Sequence, residues 1–380
     1  MSKFTDFDLL PTLQATLSEK SMAKPTEIQN RALPALLGGR SVVGVAETGS
    51  GKTLAYALPV LNMLKRLESS GQAVTKDSQP RAAVIVPTRE LGEQVSRVFK
   101  VFTHTTRLRV RSVLGGTTLD VAKNNIKGPF EILVATPGRL VKLLERGLIN
   151  LSDIRVLVFD EADQMLDQGF LPDATRIVKD CPPERQLALF SATISPAVQE
   201  LMNELFSEAE VIRSEGHHRV VPSLTTRNQI VIDGKRLPIL EDLLSDPVKG
   251  GTLIFTNTRE QCDKLADLIK QTGRKCAIYR GEMDKVERRS NLKEFRDGKI
   301  GLLISTDLAS RGLDLECVGR VINYHMPHQM ENYIHRVGRT ARAGRKGLVV
   351  NFVTERDQNL VDRLDSIRAK TKNTAKAISR

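Results

Sequence analysis

A glycine-rich turn between a short apolar run and a helical pattern limits what this chain can fold into more than any other stretch. The run is Ser-Val-Val-Gly-Val at 41–45, and the turn is Ala-Glu-Thr-Gly-Ser-Gly-Lys-Thr at 46–53. Backbone N–H groups of such a turn can surround a phosphate, the helix that follows adds the positive end of its dipole, and Lys52 supplies a charge for the terminal phosphates. Thr53 can offer its hydroxyl to Mg²⁺. The stretch therefore predicts a nucleotide site, although Ala46 replaces the usual first glycine and a plain helix-starting turn is the alternative.

The composition is typical of a soluble globular protein. Of the 380 residues, 40% are hydrophobic and 27% are charged, and this length favours two or three domains. No apolar run reaches about 18 residues, and the first residues lack the basic-then-apolar order of a signal peptide. The four cysteines contain no C-x-x-C pair, so neither a zinc site nor a disulfide framework is indicated. We expect a cytoplasmic protein without a membrane segment.

The net charge of +12 calls for either a polyanionic partner or a generally basic, solvated surface. Aromatic residues make up only 4% of the chain, with no Trp and four Tyr. Base-stacking platforms need aromatic side chains, so this composition favours binding that is directed at a nucleic-acid backbone.

The first half alternates strand-length apolar runs with helical patterns, which predicts βαβ units around a parallel sheet. Before it, Pro25 is expected at the first position of a helix. Ligands in open α/β sheets lie beyond the carboxyl ends of the strands. Polar segments stand at these ends: P-T-R-E at 87–90, G-G at 115–116, T-P-G-R at 136–139, D-E-A-D at 160–163 and S-A-T at 191–193. We expect them to share one edge of the sheet with the phosphate-binding turn.

The pair Asp160-Glu161 follows the apolar run 156–159 and has the form of a Walker-B carboxylate pair. Asp160 would then hold Mg²⁺, and Glu161 would orient and deprotonate the attacking water. A helix N-cap with acidic first-turn residues explains the pair equally well in isolation. Together with Lys52-Thr53 upstream, the nucleotide interpretation is favoured.

The alternation breaks at 215–223, a polar stretch with Gly216 and Pro222 that we interpret as a linker. His217-His218 within it has no third ligand spaced for a metal. Apolar runs then resume at 230–232, 252–255, 275–279, 301–305, 321–324 and 348–352, which predicts a second parallel α/β sheet without a G-K-[ST] turn. The expected domains are 1–214 and 224–367, followed by a basic tail at 368–380 that would add non-specific affinity for polyanions.

The second half carries S-T-D at 305–307, R-G-L-D at 311–314 and H-R-V-G-R-T-A-R at 335–342. The arginines of the last segment could form a surface ion-pair face. They could equally reach a γ-phosphate that the first domain holds.

In this order, the segments from A-E-T-G-S-G-K-T to H-R-V-G-R-T-A-R resemble the DEAD-box family of ATP-dependent RNA helicases, over roughly residues 4–365. Eight or more motifs in fixed order are far more specific than any one of them. The resemblance implies two tandem RecA-like domains, with ATP and Mg²⁺ as cofactors and RNA as the partner. The minimal core is most similar to the bacterial RhlE-like group, and Ala46 is what the family itself has at that position.

The resemblance also implies roles for individual residues. Lys52, Glu161, Asp160, Arg339 and Arg342 would be catalytic, with Thr53 and Asp160 at the metal. ATP contacts would come from Phe4, Thr26, Gln29, Thr48, Gly49, Ser50, Gly51, Lys52, Thr53 and Asp314. The RNA backbone would be contacted by Arg89, Gly116, Thr136, Arg139, Arg288 and Thr306. Hydrolysis would be coupled to domain closure through Asp163, Ser191, Thr193 and Arg336.

Three positions depart from the family pattern. Ser21-Met22 stands in place of Gly-aromatic, Lys285 in place of Gln, and His325 in place of Asp. Lys285 puts one polar RNA contact in doubt but does not affect Arg288. The sequence gives no role for His325.

Two activities fit the same motifs: an enzyme that separates short RNA duplexes or remodels RNA–protein complexes with ATP, and an ATP-gated RNA clamp with little unwinding. Both need the same ATP and RNA residues. D-E-A-D and the Gln29 segment disfavour a DNA translocase. We expect a monomer that contacts RNA largely without regard to sequence, with ribosome-assembly or RNA-decay proteins as partners.

Overall fold

The computed structural model describes residues 2–22, 24–47, 49–214, 224–307, 315, 317–340 and 347–364. They divide into two compact units, Met1–His217 and His218–Arg380. The stretch predicted as a linker, 215–223, and the tail 368–380 lie outside the described residues.

The first unit is a seven-stranded, fully parallel sheet with helices on both faces, in the strand order β3-β4-β2-β5-β6-β1-β7. The strands are β1 Val42–Val45, β2 Ala82–Ile85, β3 Val110–Val113, β4 Ile132–Ala135, β5 Val156–Asp160, β6 Gln186–Ser191 and β7 Glu210–Arg213. The helices are α1 Pro11–Glu19, α2 Glu27–Leu37, α3 Lys52–Ser69, α4 Arg89–Thr106, α5 Leu119–Asn125, α6 Pro137–Glu145, α7 Ala162–Asp167, α8 Leu171–Lys179 and α9 Pro196–Leu205, and a 3₁₀ turn spans Phe4–Asp6.

Two hydrophobic clusters cover the two faces of this sheet, because successive residues of a strand point to opposite sides. Val84 belongs to the cluster that α3 and α4 complete, and its neighbours Ala83 and Ile85 belong to the cluster that α8 and α9 complete. Burial on both faces explains why the strands are continuous apolar runs and not alternating patterns.

The second unit is a six-stranded, fully parallel sheet in the order β10-β11-β9-β12-β13-β8. Its strands are β8 Leu224–Ile230, β9 Gly251–Thr256, β10 Ala277–Tyr279, β11 Leu302–Thr306, β12 Val318–Asn323 and β13 Gly347–Val353. Its described helices are α10 Arg236–Ser245, α11 Arg259–Gln271, α12 Lys285–Arg296 and α13 Met330–Val337, and a 3₁₀ turn spans Glu355–Asp357. Among the described residues, no helix is long and apolar enough to cross a bilayer.

The predicted fold class is confirmed, but two local predictions are wrong and one strand was not predicted. The strand expected at 230–232 lies earlier, at Leu224–Ile230, and Ile232 is exposed. Strand β7 was not predicted, because this short edge strand carries exposed charged residues. Pro25 precedes the N-cap Thr26 and is therefore not the first helical residue; the reciprocal capping bonds of Thr26 and Gln29 set the helix start instead.

Candidate functional site

The strand order of the first unit places three distant segments side by side. Strand β6 pairs with β1 on one side and with β5 on the other. Because all three strands are parallel, the turn after β1, the end of β6 at Ser191 and the end of β5 at Asp160 lie at one edge of the sheet. The Ala46 amide donates to the Ser191 carbonyl at 3.0 Å, which joins the turn to β6.

Lys52 is the first residue of α3, and its side chain contacts the phosphate-binding turn that precedes the helix. Its side chain is 5% exposed, and its Nζ donates to the carbonyls of Ala46 at 2.8 Å and Glu47 at 3.3 Å. The same Nζ lies 3.4 Å from Oε1 of Glu161. An ammonium held by two carbonyls and one carboxylate at a helix N-terminus is suited to exchange these partners for phosphate oxygens.

Gln29 supports the turn from α2. Its Oε1 accepts from the Thr26 amide at 2.9 Å, and its Nε2 donates to the Gly51 carbonyl at 2.9 Å. Gly51 has φ of +92°, and a Cβ there would lie 2.4 Å from Gln29 Nε2. Only glycine therefore fits where the turn passes the amide. The buried Gln29 amide keeps one further N–H and one further lone pair for a ligand.

Asp160 is held by two hydrogen bonds. The Tyr56 hydroxyl donates to Oδ2 at 2.8 Å, and the Glu161 amide donates to Oδ1 at 2.9 Å. Burial, followed by repulsion from Glu161, raises the pKa of Asp160 to about 6, while Lys52 and Tyr56 oppose this rise. Burial and Asp160 also raise the pKa of Tyr56, so Tyr56 remains a donor. The sequence analysis missed Tyr56, which could have been found because it lies four residues after Lys52, on the same helix face.

Glu161 adopts a left-handed backbone conformation, with φ of +51° and ψ of +52°, at the N-cap of α7. This conformation costs a non-glycine residue about 1–3 kcal/mol and persists where the surroundings enforce it. In this conformation the Glu161 carboxylate lies at the start of α7, 3.4 Å from the Lys52 ammonium.

Asp163 joins the end of β5 to the segment after β6. Its Oδ2 accepts from both the amide and the hydroxyl of Thr193 at 3.0 Å. The Ser191 hydroxyl accepts from the Asp163 amide at 3.2 Å and donates to the Thr193 carbonyl at 2.8 Å. The three residues predicted to couple hydrolysis to closure within this unit are thus one hydrogen-bonded network.

The side-chain oxygens near Lys52 fit as ligands of a magnesium ion that arrives with a nucleotide. Mg²⁺ typically keeps several waters and takes one or two carboxylates plus substrate phosphates. Asp160 and Thr53 offer one carboxylate and one hydroxyl. Across the described residues, no group of three His, Cys, Asp or Glu side chains could hold a metal. The site therefore suits a metal that the phosphates help to bind.

The RNA candidates of the first unit gather around the turn after β3. The Thr136 hydroxyl accepts from the Gly115 amide at 2.9 Å, and Arg139 Nη2 donates to the Thr117 carbonyl. Gly116 has φ of +85° in this turn.

Helix α4 approaches the same turn at its first residues. A Cβ on Gly92 would lie 2.3 Å from Leu114 Cδ2, so the first turn of α4 packs closely beside residue 115. Arg89 begins this helix, and its Nε donates to Glu93 Oε1 at 2.9 Å.

In the second unit, Arg288 and Thr306 lie at one end of the sheet. The Arg288 guanidinium lies 5.5 Å from the centre of the Tyr279 ring, at the end of β10. Tyr279 pairs with Ser305, whose hydroxyl donates to the Tyr279 carbonyl at 2.7 Å, and Thr306 follows at the end of β11.

Arg336 is the most completely buried cation of the described second unit, at 1% exposure. Its Nε and Nη2 donate to the two carboxylate oxygens of Asp307 at 2.5 and 2.8 Å. Nη2 also donates to Asn257 Oδ1, and Nη1 donates to Asn323 Oδ1 and to the His325 carbonyl. Sequence reasoning missed the two asparagines, since neither follows a spacing that marks a ligand.

The remaining candidates are placed as follows. Arg339 is 2% exposed, and its Nε donates to the His335 carbonyl at 3.1 Å. Phe4 is 4% exposed and belongs to the hydrophobic cluster that also contains Val84 and residues of α1 to α4. Gly49 has φ of +87°, and Ser50 Oγ donates to the Glu47 carbonyl at 2.7 Å. Thr48, Asp314 and Arg342 lie outside the described residues.

The His325 ring lies beside Tyr324, and its Nδ1 has no hydrogen-bond partner among the described groups. Burial, with the Arg236 and Arg336 cations, lowers the pKa of His325 to about 4. An unfolded histidine titrates near pH 6.5, so between about pH 6.5 and 4 the unfolded chain binds a proton that the folded chain does not. Folded-state stability is therefore lost as the pH falls through this window.

We expect His325→Asn to remove this part of the acid sensitivity. Thermal unfolding of parent and variant at about pH 7.5 and about pH 5 checks it. The melting temperature of the variant should fall less between the two pH values. Parallel decreases in the two proteins would contradict the assignment.

Comparison with known proteins gives two matching family profiles. The profile described as DEAD/DEAH box helicase matches residues 26–201, and the one described as helicase conserved C-terminal domain matches residues 235–344. The first covers the phosphate-binding turn and the D-E-A-D segment, and the second covers most of the described second unit.

The named relatives carry consistent descriptions. The DEAD-box ATP-dependent RNA helicase RhpA of Helicobacter pylori is 36% identical over 352 residues, which is 92% of this chain and 69% of that protein. The ATP-dependent RNA helicase RhlB of Actinobacillus succinogenes is 34% identical over 355 residues, covering 93% of this chain and 85% of that protein. Among solved structures, S. cerevisiae Dbp5 bound to RNA and ADP BeF3 is similar with a TM-score of 0.84 and 28% identity, covering 97% of this chain and 93% of that one.

Proposed function

The chain belongs to the DEAD/DEAH box helicase family, and from this premise we propose that it is an ATP-dependent RNA helicase that hydrolyses ATP on binding RNA and locally separates short duplexes. The observation that carries the proposal is the buried cluster at the end of β1, β5 and β6. There the Lys52 ammonium lies 3.4 Å from the Glu161 carboxylate. Asp160 beside them is fixed by Tyr56 and by the Glu161 amide.

Each group in this cluster has a chemical task. Lys52 binds the terminal phosphates and balances their charge, and Glu161 accepts a proton from the attacking water. Asp160 and Thr53 hold Mg²⁺, which when bound neutralises the charge on the phosphate oxygens. Burial of the carboxylates excludes bulk water, so their charges act in a low dielectric.

RNA is proposed to bind at the turn after β3 in the first unit and, in the second unit, at the ends of β10 and β11. Arg89, Thr136 and Arg139 with Gly116 supply the first set of contacts, and Arg288 and Thr306 supply the second. Arginines, hydroxyls and backbone amides are the groups that typically contact phosphate oxygens, which explains binding with little sequence preference. If RNA and ATP favour the same conformation, each must tighten the binding of the other.

The network of Asp163, Ser191 and Thr193 extends from the carboxylate pair to the segment after β6, and we infer that it relays the state of the nucleotide. Arg336 is proposed to hold the second-unit motifs in place, and Arg339 and Arg342 to stabilise charge in the transition state. The cytoplasmic location and the monomeric state stay predictions from the sequence.

One experiment tests the proposal. ATP hydrolysis is measured alone, with single-stranded RNA and with single-stranded DNA, followed by strand displacement on RNA duplexes of increasing length. We expect stimulation by RNA and displacement that fails on long duplexes. RNA-stimulated hydrolysis without displacement at any length would support an ATP-gated clamp, and hydrolysis that ignores RNA would overturn the proposal.

The Gln29 amide leads to a prediction about base selection. Its unused N–H and lone pair match the donor and acceptor of the adenine edge, whereas guanine presents the opposite pattern. Leaving such buried groups unpaired costs about 1–3 kcal/mol, or roughly 5- to 150-fold. We therefore expect kcat/KM for ATP to exceed that for GTP by this factor in an RNA-stimulated assay. Equal values would remove Gln29 from base recognition.

A further inference from the structure

A shallow cavity of about 310 Å³ lies between the end of α4 and the start of edge strand β3. Four basic side chains line it, Lys100, His104, Arg109 and Arg111, and all four are exposed. We call these residues the distal basic groove. None of them belongs to the RNA contacts assigned above.

Arg109 is fixed in this groove by an acid on its inner side. Its Nη2 lies 2.5 Å from Glu131 Oε1, and its backbone amide donates to Glu131 Oε2 at 2.6 Å. Glu131 is 10% exposed, whereas Arg109 is 43% exposed. Glu68 also interacts with Arg109, and its carboxylate pairs with Lys65. Glu131 thus orients Arg109 and offsets its charge, and Glu68 is paired with Lys65. Lys100 and Arg111 each add a positive charge to the groove.

Helix α4 connects this groove to the proposed RNA site. It begins at Arg89 and ends at Thr106, so at 1.5 Å per residue it is about 27 Å long. Arg97, Lys100 and His104 follow one another at spacings of three and four, on one face of the helix, and all are exposed. A line of basic side chains therefore extends from the middle of the helix into the groove.

We propose that the distal basic groove binds the phosphate backbone of RNA that extends beyond the site at the turn after β3. This inference rests on the proposed function. About 27 Å corresponds to roughly eight phosphates of one stacked strand at 3.4 Å each, so RNA long enough to follow α4 reaches the groove and shorter RNA does not.

Charged side chains on an edge strand also prevent pairing with other chains, and that role alone predicts no effect on RNA. The double variant Arg97→Gln, Lys100→Gln separates the two roles. Its matched control is Arg176→Gln, Lys179→Gln on α8, where two exposed cations also stand three residues apart. Helix α8 packs on the opposite face of the sheet from α4.

Affinity is measured for oligouridines of about 6 and about 20 nucleotides over a range of salt, together with ATPase stimulation by the short RNA. We expect the α4 variant to match the parent on short RNA in both assays. On long RNA its affinity should drop, and the log-log salt slope should be less steep by roughly 1.4, since each lost contact on a single strand accounts for about 0.7. The control variant should retain the parent slope.

Arg111→Gln provides a second, independent change on β3, and should reduce long-RNA affinity even if the α4 variant does not fold. The proposal is overturned if both variants keep the parental preference for long RNA, or if the α8 control loses as much. Failure of the proposed function is recognised separately, because the parent protein would then show no stimulation by the short RNA.

Discussion

Glu161→Gln is expected to give a protein that binds ATP as the parent does and hydrolyses it about 10²- to 10⁴-fold more slowly, the usual contribution of a general base. The amide keeps the size of the side chain and an oxygen that can accept from Lys52, so the contact at 3.4 Å can be retained. What it lacks is the ability to take a proton from water.

Equilibrium binding of a fluorescent ATP analogue and single-turnover hydrolysis with RNA separate the two effects. Lys52→Ala is the contrasting variant, because it removes the charge that faces the phosphates and should abolish nucleotide binding itself. Thr193→Val tests a different step: it leaves the carboxylate pair intact and removes only the hydroxyl bond to Asp163. Hydrolysis at the parent rate in Glu161→Gln would show that another group is the base.

The two sheets could be predicted from sequence because their strands are buried on both faces. The runs 132–135 and 156–159 fall within strands at Ile132–Ala135 and Val156–Asp160. The edge strands β7 and β8 have a weaker hydrophobic pattern, because exposed residues interrupt their buried or partly buried ones. Their pairing depends on strands that are distant in the chain. A local pattern cannot report such pairing.

The candidate site was predictable to the extent that its residues follow strands. Motifs at strand ends identify Lys52, Asp160 and Ser191, since parallel strands bring their carboxyl ends to one edge. The groups that orient these residues could not be identified in this way. The spacing of four residues from Lys52 places Tyr56 on the same face of α3, but only the fold shows that its hydroxyl donates to Asp160.

Backbone conformation was also beyond the sequence. The left-handed Glu161 has no local signature, because non-glycine residues adopt this conformation only where the surroundings impose it. The hydrogen bonds of Arg336 are a similar case. The sequence places three arginines on one segment but does not show which of them is hydrogen-bonded within its own domain.

Among the described residues of the second unit, Arg336 is held by contacts within that unit, whereas a catalytic role for Arg342 is a prediction from the sequence. The two arginines together lead to the largest expected effect. Arg336 is engaged on every side by Asp307 and its neighbours, so its removal would leave a carboxylate without its cation and destabilise the unit by about 3–5 kcal/mol. Arg342→Ala should instead leave stability unchanged and lower kcat by about 10³- to 10⁵-fold, as loss of an arginine that stabilises transferred-phosphoryl charge does.

Steady-state hydrolysis with saturating RNA, nucleotide affinity and thermal unfolding, measured on Arg336→Ala, Arg342→Ala and the exposed control Arg363→Ala, test this division. Nucleotide affinity in Arg342→Ala should stay near the parent value, because Lys52 and the phosphate-binding turn belong to the other unit. A lowered melting temperature in Arg336→Ala with a normal one in Arg342→Ala would separate a structural from a catalytic arginine. If Arg342→Ala hydrolysed ATP like the Arg363→Ala control, Arg342 would not contribute this charge to the transition state, and Arg339 would remain as the proposed contributor from the second unit.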